Sequence, residues 1–251
     1  MSAATALLGL AALIVGFSKT AIGGLATVSV AIFAALMPAR ESTAALLLVL
    51  LVGDVVAVWH YRREADWAIM RRLVPAVLPG LGLGALFLAV VDDGVLRRTI
   101  GVILLVLAVH QLWLLRRGPR PETPAGTEPT GRAHSRTAAA LAGLAAGFTT
   151  MAANSGGGVM TLYLTAQGVR KLRFLGTGAL FFFGINLSKL PFSAALGLFS
   201  RDMFVQTLLL APLVLVGAWI GLHTVRRLTE AWFSFAVVGV TAVSALALLV
   251  R

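Results

Sequence analysis

Two lysines stand in segments that are otherwise apolar or rich in glycine, and packing alone does not explain either of them. Lys189 lies in FFFGINLSKLPF near the middle of a long apolar segment, and Asn186 precedes it by three residues, on the same face of a helix. Lys19 lies in GFSKTAIGG, close to the N-terminus. A charge at the centre of a membrane costs at least about 2.5 kcal/mol, so both lysines are candidates for function.

A second glycine-rich segment, ANSGGGVMTLYL, runs from Ala153 to Leu164 between two apolar runs. Glycine is a poor helix former, so the segment predicts an interrupted helix. Backbone N–H groups at the start of a new helix attract anions, and Asn, Ser, Thr and Lys side chains supply further donors. We expect one binding site for a small anion, built from Ser18, Lys19, Thr20, Gly23, Gly24, Asn154, Ser155, Gly156, Gly157, Asn186 and Lys189.

Asp54 interrupts the apolar segment from Ala44 to Trp59 and lies within two turns of His60. Two roles suit this carboxylate equally well: a structural ion pair with a lysine, and the coupling of transport to another ion. We therefore treat Asp54 as a candidate coupling residue. His110 and His223 fall near the ends of their segments, where a hydrogen-bonded or interfacial role is favoured over proton transfer.

The composition is that of an integral membrane protein. The 251 residues are 59% hydrophobic and 12% charged, and the mean hydropathy is +0.92. The net charge of +11 comes from bases in the gaps between apolar runs, which indicates membrane topology and not nucleic-acid binding. The absence of cysteine excludes disulfides, thiolate catalysis and Cys-ligated metals. We expect no cofactor or metal, and as partners an anionic substrate and membrane lipids, with homo-oligomerisation left open.

The chain resembles itself at an offset of 131 to 133 residues, which predicts two duplicated halves. The polar segment between them holds four of the nine prolines and cannot form a packed element. The predicted domains are an N-terminal transmembrane repeat at 1–116, a polar cytoplasmic linker at 117–136 and a C-terminal repeat at 137–251. The matching landmarks are Gly16-Phe17-Ser18 with Gly147-Phe148-Thr149, Pro79 with Pro212, and Gly84 with Gly217.

The lengths of the apolar segments predict an all-α polytopic membrane protein made of two inverted repeats. In each half the first two segments are much shorter than the roughly 20 residues that cross a membrane, and three spans follow. If the short pair forms a re-entrant hairpin or two short spans, both of its ends lie on one side of the membrane. The three spans that follow then give each half an odd number of crossings, so the two halves have opposite orientations. Fourteen Lys and Arg then lie on one face and five on the other. By the positive-inside rule, both termini lie outside the cytoplasm.

Three motifs together resemble the sulfite exporter TauE/SafE family of membrane permeases: GFSKTAIGG, AAGFTTMAANSGGGVMTLYL and GTGALFFFGINLSKLPF. The resemblance, which includes the duplicated layout and the polar linker, covers essentially the whole chain. It implies a non-enzymatic transporter that exports sulfite, organosulfonates or related sulfur oxyanions across a prokaryotic cytoplasmic membrane. It also points to the residues of both breaks and to Asn186 and Lys189 as the binding site. Alternating access between inverted repeats is the expected mechanism.

Two other functions fit parts of the pattern. A passive anion channel would share the charged site but needs a continuous pore. An intramembrane serine hydrolase would use Ser155 as its nucleophile and His223 or His110 as its base. Because Ser155 follows Asn154 and is not set in a G-x-S-G turn, the sequence argues against the hydrolase. The choice among sulfite, sulfonates and other small anions stays open, as does the coupling ion.

Overall fold

The computed structural model describes residues 3–21, 25–116, 136–166, 169 and 171–224, and all regular elements within them are helical. The last apolar segment, Ala231 to Val250, which we expect to be the third span of the second half, lies outside these residues, as does nearly all of the central linker. The helices are α1 (Ala3–Thr20), α2 (Ala26–Leu36), α3 (Ala39–Tyr61), α4 (Trp67–Val90), α5 (Asp93–Arg116), α6 (Arg136–Ala153), α7 (Gly156–Ala166), α8 (Lys171–Ala195) and α9 (Arg201–Thr224), and a 3₁₀ turn (Arg62–Glu64) follows α3.

Four of the described helices are long and apolar enough to cross a membrane: α1, α3 with its 3₁₀ turn, α4 and α9. The all-helical, polytopic architecture predicted from the sequence is therefore confirmed. Helices α2 and α7 have 11 residues each. At 1.5 Å per residue an 11-residue helix spans only about 16 Å, roughly half of the hydrocarbon core. Each half thus contains one short helix and not the predicted short pair, because the preceding helix, α1 or α6, has 18 residues.

The helices of the two halves correspond in order, length and packing partner. Helices α1 and α6 have 18 residues each, and α4 and α9 have 24 each. Helix α1 packs mainly on α9, α6 packs mainly on α4, and α3 packs on α8. This exchange of partners is the pattern expected of repeats related by a twofold axis. The domain boundaries and the inversion across the membrane stay predictions.

Glycines allow the two helices of each pair, α1 with α9 and α4 with α6, to pack unusually close together. A Cβ atom added at Gly16 would overlap the carbonyl oxygen of Val214, and one added at Gly217 would overlap the carbonyl oxygen of Leu13. Gly80 and Gly84, whose GxxxG spacing is typical of close helix packing in membranes, likewise face the backbone or side chains of α6. In that second pair the contacts are Gly80 with Leu144, Gly84 with Met151, and Gly147 with Val77.

Helix α3 runs through the centre of the molecule and carries Asp54. Its N-terminus follows Pro38, and the carboxylate of Asp93 accepts hydrogen bonds from the N–H groups of Ala39 and Arg40, both at 3.0 Å. A carboxylate at this end satisfies free N–H groups and interacts favourably with the helix dipole. The cap fixes the start of α3 against α5.

Candidate functional site

Both predicted helix interruptions are present. Helix α1 ends at Thr20 and α2 begins at Ala26; α6 ends at Ala153 and α7 begins at Gly156. Gly23 and Gly24, which we predicted to bind the anion, lie outside the described residues. The beginnings of both short helices face one cavity, which is lined in part by Ala26 and Gly157.

The second break is made by Asn154, which has a φ of +50°. Asparagine accepts this left-handed conformation more readily than most residues. Its amide is held on both sides: Nδ2 donates to the carbonyl oxygen of Thr43 at 2.9 Å, and Oδ1 accepts from Nζ of Lys189. The chain therefore turns at Asn154, in front of the three glycines.

The triglycine forms the first turn of α7 and lets that turn approach α6. A Cβ atom added at Gly156 would lie 2.8 Å from Cβ of Thr150 and 2.9 Å from the carbonyl oxygen of Ala146. Any larger residue at this position would have to push the two helices apart. The glycines thus allow the backbones of α6 and α7 to approach each other closely next to the break.

Lys189 is buried, with 2% of its surface exposed, and it does not face lipid. Its Nζ donates to the carbonyl oxygen of Thr150 at 2.8 Å and to Oδ1 of Asn154. The same Thr150 oxygen accepts from the N–H of Asn154 at 2.9 Å, so the ammonium group lies at the C-terminal end of α6. A cation stabilises a helix at this end, where carbonyl groups lack partners.

Lys19 and Asp54 form the lysine–aspartate ion pair that the sequence suggested, with Nζ 2.6 Å from Oδ1. The Asp54 side chain is fully buried, whereas the Lys19 side chain is 10% exposed. Nδ2 of Asn186 donates to the other carboxylate oxygen of Asp54 at 2.6 Å. The Lys19 ammonium also lies 5.0 Å from the ring centroid of Phe182, a cation–π distance. The pair therefore joins α1, α3 and α8.

A cavity of about 70 Å³ lies where these elements meet. A buried water needs about 10–15 Å³ by the same measure, so the cavity has room for a few waters or one small ion. Its walls are mainly apolar and carry a few polar groups, as is usual for small-molecule sites. The polar lining consists of Ser18, Lys19, Thr150, Asn154, Thr161 and Asn186, and the apolar lining includes Leu50, Met160, Leu164, Phe174, Leu175 and Phe182.

Five of the described residues that we predicted to bind the anion line this cavity: Ser18, Lys19, Asn154, Gly157 and Asn186. Oγ of Ser18 accepts a hydrogen bond from the N–H of Ala26 at 3.0 Å, so Ser18 also caps the start of α2. Ser18 thus lines the cavity and also fixes the start of α2 beside it.

Four other predicted residues lie next to the cavity lining and not in it: Thr20, Ser155, Gly156 and Lys189. Oγ1 of Thr20 donates to the carbonyl oxygen of Ala218 at 3.0 Å and so connects α1 to α9. Oγ of Ser155 donates to the carbonyl oxygen of Ala153 at 3.0 Å. In the present conformation these contacts are structural, and a direct role in binding stays a prediction.

Eleven lining residues were absent from the sequence-based set, among them Thr150, Thr161 and Phe182. Thr161 follows Gly157 by four residues and therefore shares its helix face, which is a signal that the sequence carries. Phe182 is one of three consecutive phenylalanines, and nothing in the sequence marks it as the one that faces Lys19.

The arrangement gives no support to a serine hydrolase. Ser155 is buried at the α6–α7 break, whereas His223 lies in the last turn of α9 with its Nδ1 2.8 Å from the carbonyl oxygen of Trp219. The His110 side chain lies outside the described part of the structure. Within that part, no group of three or more His, Asp or Glu side chains is arranged to hold a metal ion.

Comparison with known proteins identifies the family. The model of the sulfite exporter TauE/SafE family matches residues 8–248, nearly the whole chain. No curated protein and no solved structure gives a significant match. Members of this family are membrane transporters and not enzymes, in agreement with the long apolar helices. The protein therefore belongs to the sulfite exporter TauE/SafE family of membrane permeases.

Proposed function

We propose that this permease is a secondary transporter that exports a small sulfur oxyanion, sulfite or an organosulfonate, across the cytoplasmic membrane by alternating access. The observation that carries the proposal is the cavity between the two broken helices, which is lined by Lys19, Asn186 and residues in the first turns of α2 and α7. A lysine, amide and hydroxyl donors and helix N-termini suit a small anion, whereas a cation site would be rich in carboxylates and carbonyls.

The two lysines have different roles in this proposal. Lys19 lines the cavity and is the direct partner of the anion. Lys189 lies behind Thr150 and Asn154, which both line the cavity, so it contributes its positive charge and holds Asn154 in place. Charges act over several ångströms in a medium of low dielectric constant, so Lys189 stabilises a bound anion without touching it.

The cavity extends along α8 towards the face on which most of the Lys and Arg residues are predicted to lie. Its lining follows α8 from Asn186 to Phe174, the residue next to Arg173. The positive-inside rule makes this basic face the cytoplasmic one, so the anion enters from the cytoplasm. The membrane potential favours exit of an anion from a negative interior by about 2.3 kcal/mol per charge per 100 mV.

The packing of the helices indicates which parts move together. Helix α1 is closely packed on α9, and α6 on α4, through glycines that leave no space for a Cβ atom. Sliding within either pair would separate close backbone contacts, whereas motion between the pairs would preserve them. We therefore propose moving bodies that each combine helices from both halves, in place of the motion of one repeat against the other expected from the sequence.

The proposal is tested by the flux of sulfite into proteoliposomes under an imposed membrane potential. We expect saturable flux for the wild type, and a clear loss in both Lys19→Ala and Lys189→Ala. Glu64→Gln, which removes an exposed charge outside the cavity, is the control and transports normally. If both lysine variants carried sulfite as fast as the wild type, the assigned site would be wrong; single-channel currents would instead favour a passive channel.

A further inference from the structure

Three ionisable side chains come together at the cavity. Asp54 and Lys189 are the buried charged residues of the described chain, and the side chain of Lys19 is only 10% exposed. Lys19 contacts Asp54 directly, and Lys189 interacts electrostatically with both. With both lysines protonated and Asp54 ionised, these three side chains carry a single positive charge in excess.

The carboxylate of Asp54 holds the same groups that face the cavity. One of its oxygens binds Nζ of Lys19 and the other binds Nδ2 of Asn186, both at 2.6 Å, and both donors belong to residues that line the cavity. Asp54 itself is fully buried and is not part of the lining. It therefore lies behind the binding surface, where it neutralises charge without contacting the anion.

The number of charges determines which anion the site can balance. Charges buried away from water are costly unless they are compensated. One singly charged anion neutralises the excess positive charge, whereas a doubly charged anion leaves an uncompensated negative charge and loses more hydration on entry. From this balance we infer that Asp54 is a specificity-determining residue, which makes the cavity select singly charged sulfur oxyanions over doubly charged ones. The inference rests on the proposed function and names the charge class of its substrate.

The two charge classes can be compared with methanesulfonate, which carries one charge, and sulfate, which carries two. Both are compact, with oxygens around a tetrahedral sulfur. Calorimetric titration of the purified protein at constant ionic strength gives the ratio of their dissociation constants. We expect the wild type to prefer methanesulfonate by about tenfold or more, because a single unbalanced buried charge is worth at least this factor.

Asp54→Asn removes the carboxylate with little change of shape and raises the excess positive charge of the site from one to two. The ratio of the two dissociation constants should then shift in favour of sulfate by about tenfold or more. The double variant Lys19→Gln with Asp54→Asn restores one excess charge, and it should return to the wild-type preference even where affinity falls. Glu64→Gln, which removes an exposed carboxylate, should leave the ratio unchanged.

The titrations distinguish a failure of charge selection from a failure of the proposed function. The inference is overturned if the wild type binds sulfate as tightly as methanesulfonate, a result that needs no variant to fold. It is also overturned if folded Asp54→Asn keeps the wild-type ratio while binding both anions. A wild-type protein that binds neither of these anions and no sulfite would instead overturn the proposed function.

Discussion

Nζ of Lys19 lies 2.6 Å from Oδ1 of Asp54, and the carboxylate is fully buried. The contact joins the last turn of α1 to the middle of α3, next to the cavity. Neither charge can be removed alone without leaving the other without its partner. The pair therefore contributes to the fold as well as to the proposed binding site.

Removal of Lys19 alone should destabilise the protein. In Lys19→Met the buried carboxylate loses its cation, and breaking a buried pair in this way typically costs about 3–5 kcal/mol. Thermal unfolding of the purified protein measures the loss. Lys19→Met combined with Asp54→Asn should recover part of it, because the second change removes the unpaired charge. Equal stability of the single variant and the wild type would show that the pair contributes little.

The break between α6 and α7 depends on both the conformation and the amide of Asn154. Asn154→Gly keeps access to positive φ and loses the amide contacts, whereas Asn154→Ala loses both. We expect the alanine variant to be the less stable of the two by about 1 kcal/mol, the typical penalty of a Cβ atom in a left-handed conformation. Thermal unfolding compares them directly. An alanine variant more stable than the glycine variant would indicate a different backbone at the break.

The α1–α9 contact should tolerate no side chain at Gly16. A Cβ atom there would overlap the backbone at Val214, so Gly16→Ala should cost about 1–3 kcal/mol, as overpacking usually does. Gly82→Ala is the matched control, because a Cβ atom at Gly82 meets no heavy atom within 4 Å. The control substitution should leave the stability unchanged or raise it slightly, since alanine has a higher helix propensity than glycine. Equal unfolding temperatures for the two variants would contradict the close packing.

The predicted orientation can be read from single cysteines, because the natural chain has none. Glu64, in the turn after α3, and Ser200, before α9, are both exposed. In intact cells a membrane-impermeant maleimide should label Ser200→Cys, and it should label Glu64→Cys only after permeabilisation. The opposite pattern would reverse the assignment of the cytoplasmic face.

The sequence predicts the helical segments and their interruptions well because membranes impose simple rules. Apolar length and the glycine runs locate both short helices, and the shared face of Asn186 and Lys189 follows from their spacing. The burial of Lys189 is also expected, since a charge in the middle of an apolar segment needs protein partners.

What the sequence does not predict is which partner each polar group chooses. Lys189 donates to Thr150 and Asn154, although its spacing alone suits direct contact with an anion equally well. Thr20 lies in the same motif as Lys19, yet its hydroxyl faces α9. These hydrogen-bond partners depend on contacts between helices that are far apart in the chain, and local sequence patterns do not predict such contacts.

The most direct test of the account asks whether the anion occupies the cavity itself. Gly178 lines the cavity, and a Cβ atom added there meets no heavy atom within 4 Å, so Gly178→Cys introduces a thiol without distortion. Gly184→Cys, on the same helix but outside the lining, is the control. We predict that methanesulfonate, at concentrations that inhibit sulfite flux, slows maleimide labelling of Gly178→Cys in a saturable way and leaves the control unchanged. Labelling of Gly178→Cys at an undiminished rate under those conditions would contradict it.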